Sequence, residues 1–100
     1  MPDHNAIPET DILVQELENE IVILNLKNET YYRIDGAGIR MWQLIEQHAS
    51  LSKVSQIMSN EYNVDTSILQ EDVAQFAKGL HDKGIVRLTT VDLRADGSSR

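Results

Sequence analysis

An α+β fold, a three-stranded antiparallel sheet followed by a three-helix bundle in winged-helix-like order, is predicted by three features of this 100-residue chain. Residues 12–34 carry β-branched, aliphatic and aromatic side chains and are interrupted twice by short Asn-containing breaks. After Asp35-Gly36 the apolar spacing changes to the helical period. The helical half is itself punctuated by Ser, Asp and Gly at positions where helices start and stop. Strands followed by helices, without βαβ alternation, are the pattern of an α+β domain.

The strands fall at residues 12–17, 21–26 and 30–34. Glu18-Asn19-Glu20 and Lys27-Asn28-Glu29 separate them, each with an Asn that tolerates a left-handed turn, so the three form a meander of two hairpins. In the middle strand Val22, Leu24 and Leu26 lie on one face and Ile21 and Ile23 on the other, so both faces want cover.

The first helix follows Gly36, presents Ile39, Trp42 and Ile45 as one face and ends near His48-Ala49. The second runs over 51–62 with Leu51, Val54, Ile57, Met58 and Tyr62 as its stripe, capped by Ser50 or Ser52. The third and longest is capped by Asp65 or a neighbouring hydroxyl, repeats Leu69, Val73, Phe76, Ala77 and Leu80, and stops at Gly84. Residues 85–88 then read as a short extended segment. Residues 1–10, with two prolines and few apolar groups, and 90–100 read as flexible tails, leaving one domain over 11–89.

Composition narrows function by exclusion. Without cysteine there is no disulfide, thiolate metal site or cysteine nucleophile, and a reducing cytoplasm suits such a chain. No run reaches the length of a membrane span and no secretion signal opens the sequence, so no membrane partner is expected. A net charge of −7 and scattered Lys and Arg argue against nucleic acid, whose phosphates need clustered cations. His4, His48 and His81 have no ligand spacing, the glycines after Ile34 lack the remainder of a phosphate loop, and adjacent Glu71 and Asp72 cannot face each other on a helix. Neither a catalytic site, a metal nor a cofactor is therefore expected.

Two features remain that suit binding. Tyr31 and Tyr32 divide between the faces of their strand, which at a sheet edge would offer backbone groups and an aromatic ring to an incoming peptide. Asp72, beside the apolar stripe of the third helix, would form a polar lip to a groove.

The run from Asn28 to Ile45, NETYYRIDGAGIRMWQLI, with the later Glu71-Asp72-Val73-Ala74-Gln75-Phe76 and Asp82-Lys83-Gly84-Ile85-Val86, resembles the PqqD-like family. The resemblance spans roughly Ile12 to Leu88 and rests on the order of its pieces: Tyr-Tyr strand, Asp-Gly turn, Gly-Ile-x-x-Trp helix and Asp-Val-x-x-Phe helix ending in Lys-Gly. Members include stand-alone proteins that bind the leader of a ribosomally made precursor peptide, as in lasso-peptide pathways. It implies a leader added as a strand to Thr30, Tyr31, Tyr32, Arg33 and Ile34 and lying against the third helix, with Leu69, Val73 and Phe76 toward the groove. Asp72 and Lys83 would flank it and Arg33 would pair with an acidic leader residue. A modifying enzyme or leader protease would be the second partner, a lasso-type one ahead of a quinone-cofactor one, and an edge strand would also suit a homodimer. The sequence departs from the family at Ala77 and Gly79, where Leu and polar helix formers are common; the smaller groups would widen the groove or admit a close approach. Two readings compete: a winged-helix transcription regulator, which the acidic third helix disfavours, and a structural subunit of an enzyme complex.

Overall fold

In the computed structural model, which describes residues 3–91, the alternation of residues 12–34 produces the expected meander. Strands β2 (Ile12–Glu16), β3 (Ile21–Asn25) and β4 (Thr30–Ile34) pair antiparallel in the order β2-β3-β4. Ile23 stands opposite Val14 and Tyr32, and Leu24 opposite Leu13 and Tyr31. Helices α1 (Ala37–His48), α2 (Leu51–Tyr62) and α3 (Thr66–Asp82) follow. Antiparallel sheets plus three helices make the fold α+β.

The helix boundaries have local causes. Gly36 precedes α1 at φ 57°, ψ −139°, a conformation that side chains avoid. Ser50 caps α2 by accepting the Lys53 N–H, and Asn63 ends it in the left-handed region. Asp65 caps α3 through the Ser67 N–H. Arg40 and Glu61 join α1 to α2 by a bidentate ion pair.

The core forms where the helices cover one face of the sheet. Trp42, Ile45, Val54, Met58, Val73 and Leu80 close over Ile21, Ile23 and Ile34, all essentially buried. The other face of β3 is covered less than expected: Val22 and Leu24 are half-buried, and Leu13, Leu26 and Tyr31 are exposed. Leu13, Leu24 and Tyr31 stand directly across from one another on adjacent strands of that face. Tyr62, expected on the apolar stripe of α2, is 47% exposed at that helix's last residue.

Two expectations about the ends need correction. Residues 3–8 are not a tail: Asp3–Pro8 is strand β1, paired antiparallel with β5 (Val86–Val91) in a separate two-stranded sheet. This strand escapes an apolar pattern search because backbone bonds hold it, with Ala6 N–H donating to Ala49 O and Glu9 N–H to Ile85 O. Among its described side chains only the small Ala6 is fully buried. Thr90 and Val91 belong to β5, so the ordered unit exceeds 11–89 at both ends; residues 92–100 of the expected second tail lie outside the described residues.

Candidate functional site

Strand β4 is, with β2, one of the two edges of its sheet among the described residues. Leu26 N–H donates to Asp11 O on the β2 side, while Asn25 O accepts from Glu29 on the β4 side. Because backbone groups alternate across a strand, Ile23 and Tyr32 then bond each other, and Tyr31 and Arg33 turn their N–H and C=O outward. An extended peptide could continue the ladder there.

Beside this edge runs α3, antiparallel to β4, and its distance from the strand is set by what lies between. At its C-terminal end the side chain of Asn25, 4% exposed, donates to Lys83 O (3.1 Å) and Gly84 O (2.9 Å) and accepts the Lys27 N–H (2.9 Å). Gly84 makes this possible twice over: its φ is 74°, and a Cβ there would come within 2.6 Å of Asn25 Nδ2. One turn earlier Tyr32 lies across the helix, and a Cβ on Gly79 would meet its Oη at 2.9 Å. The unusual Gly79 thus admits an aromatic side chain, not a backbone; Ala77 instead faces the core.

Further along, a concavity of about 430 Å³ opens among Tyr32, Arg33, Ile34, Asp35, Gly38, Met41, Asp72, Gln75 and Phe76. Ile34 and Met41 supply buried apolar floor and Phe76 a half-buried ring. Gly38 lets α1 start close against both neighbours: a Cβ there would lie 2.9 Å from Ile34 Cγ2 and 3.2 Å from Phe76 Cε1.

Of the residues expected at a site, Tyr32, Arg33, Ile34, Asp72 and Phe76 come together around this groove. The others stand elsewhere. Leu69 and Val73 are buried in the core, where the apolar stripe of α3 has to point. Tyr31 is 61% exposed on the outer face of the sheet, as the pleat requires of the neighbour of Tyr32. Thr30 sits at the turn, its N–H and Oγ1 both donating to Asn28 Oδ1. Lys83 is the C-cap of α3, engaged through its carbonyl with Asn25. Arg33 already has an acidic partner within the chain: its Nε and Nη2 donate to Glu20 Oε1 at 2.9 and 2.6 Å, and that carboxylate holds the guanidinium above its ordinary pKa, chiefly by hydrogen bonding and then by charge.

Asp35, Gly38, Met41 and Gln75 line the groove without having been singled out. Gln75 adjoins Phe76 on the same helix and was within reach of helical geometry; Asp35, Gly38 and Met41 come from the turn and helix after β4, whose packing against α3 has no signature in spacing. Among the described residues no group of three or more His, Asp or Glu side chains gathers as a metal site, and no helix is long and apolar enough to cross a membrane.

A sequence family described as coenzyme PQQ synthesis protein D (PqqD) matches residues 20–86. No curated protein sequence matches the chain. Among solved structures it is similar to TbiB1 in complex with the TbiA(beta) leader peptide, at 25% identity and a TM-score of 0.76 over 81% of this chain and 94% of that one. It is also similar in fold to lasso peptide synthetase B1 complexed with the leader peptide, at 19% identity and a TM-score of 0.74 over 83% and 98%.

Proposed function

The chain belongs to the PqqD family, and on that premise we propose that it is a non-catalytic adaptor that binds the leader segment of a ribosomally synthesised precursor and delivers it to a modifying enzyme or leader protease, of the lasso-peptide type. The observation that carries this reading is the free edge of β4 running beside an open groove on α3. Main-chain bonds along such an edge give affinity that tolerates sequence, and alternate side chains entering the groove give selectivity. The likeness to two proteins in complex with leader peptides supports the same occupant.

Winged-helix-like order does not turn the chain into a DNA reader. The exposed surface of α3 carries Glu71, Asp72 and Asp82, and one of its few cations, Lys78, sits 3.5 Å from Asp82. Exposed Leu13 and Tyr31 with Leu24 between them leave an apolar face for the enzyme partner, away from the β4 groove.

Calorimetric titration with the leader of a short precursor, sought in the genes neighbouring this chain's own, tests the proposal. Wild-type protein binds with a dissociation constant of about 1 μM or below. Phe76→Asp, which puts a carboxylate beside the apolar floor and leaves the fully buried core intact, weakens binding at least roughly ten-fold. A well-folded wild-type chain that ignores this leader, alone and with its enzyme, would refute the adaptor.

A further inference from the structure

The groove combines an apolar floor with an acidic wall. Ile34, Met41 and Phe76 form the floor, and Asp35 and Asp72 both border it, one from the turn after β4 and one from α3. Arg33, the one basic residue along its lining, has its guanidinium bound to Glu20 and also feels the charge of Asp35, so this single cation does not neutralise both aspartates. Tyr32, packed over Gly79, limits the groove on the side toward the C-terminus of α3.

This arrangement discriminates among side chains. A carboxylate set here would meet two like charges; an aliphatic chain would use only the floor. A Lys or Arg lays its methylene stem along Ile34, Met41 and Phe76 and brings its charged head to the two carboxylates. We propose that the groove is a specificity pocket for one cationic residue of the bound peptide, with Asp35 and Asp72 as the specificity-determining pair. The proposal rests on the reading of this chain as a leader binder and names what that leader must carry. On a strand added to β4 alternate side chains face α3, so the requirement falls at one fixed position while its immediate neighbours point away.

The test must separate a seated cation from general attraction to a chain of net charge −7. Random-sequence peptides displayed on phage are panned against the full chain, against Phe76→Asp and against Asp35→Asn/Asp72→Asn. Both aspartates are exposed, so the double variant keeps its fold, which circular dichroism checks. Peptides enriched on the wild type carry Lys or Arg at a fixed place in their pattern, and the double variant loses that preference. In one enriched peptide, replacing the Arg by citrulline weakens binding roughly five-fold at physiological salt, and the double variant does not distinguish the two. Glu71→Gln, off the groove, retains the preference. Enrichment that needs Phe76 but shows no fixed cation, or a cation preference that survives in the double variant, overturns the pocket and leaves the adaptor standing. Failure of every displayed peptide and of the encoded leader removes both.

Discussion

Helix α3 meets the sheet in two contrasting ways. At its C-terminal end a buried amide locks it: Asn25 reaches over from β3 and satisfies two carbonyls at once. In its middle, at Asp72 to Phe76, it borders an open groove that Tyr32, Arg33 and Ile34 of the edge strand also line. A helix held at one end by specific bonds can stay apart from the strand elsewhere without collapsing onto it. The lesson is that the open region depends on the closed one, so the two should fail differently when perturbed.

The largest effect is expected at the lock. Asn25→Ala strands the Lys27 N–H and two carbonyls and lowers unfolding free energy by about 2–3 kcal/mol in chemical denaturation. Peptide affinity of the folded fraction should fall as well, because α3 is then free to move against β4. Loss of stability with affinity unchanged would break the link between the two ends.

Next in size is Gly38→Ala, which acts at the groove itself. Its methyl group needs the space held by Ile34 Cγ2 and Phe76 Cε1. The shift costs about 1 kcal/mol net of the helix preference for Ala, and the displaced ring weakens peptide binding more than it weakens the fold. Combining it with Phe76→Leu relieves only the wider of the two contacts, so stability should return in part and binding should not, measured by denaturation and calorimetry on the same samples.

The two regions were not equally legible in the sequence. Spacing and caps located β2 to β4 and all three helices, since periodicity and N-cap chemistry are local properties: Ser50 and Asp65 cap where their neighbours said they should. Strand β1 was not legible, because its partner lies some eighty residues away and its bonds run through the backbone. The groove was legible only in part. Phe76 and Asp72 follow from helical phase and family likeness, whereas the engagement of Arg33 with Glu20 depends on which neighbour the fold brings up. Asn25 is the plainest case: within a β-strand it reads as a weak strand former, and its role exists only once Lys83 and Gly84 arrive beside it.

Gly79 lies between the lock and the groove and gives the smallest but sharpest test of where one becomes the other. A glycine inside a helix ordinarily costs about 1 kcal/mol relative to Ala, so Gly79→Ala should stabilise unless the space is taken. Here Tyr32 Oη takes it, while the ring carbon that bears the hydroxyl would sit at an ordinary 3.7 Å from the added methyl. Gly79→Ala alone is therefore expected to be neutral or slightly destabilising. In a Tyr32→Phe background, with the oxygen gone, the same substitution should stabilise by about 0.5–1 kcal/mol. A thermodynamic cycle of the four proteins by chemical denaturation reads this coupling. If Gly79→Ala stabilises equally in both backgrounds, Tyr32 does not rest on α3, and the groove extends toward Lys83 instead of ending at that ring.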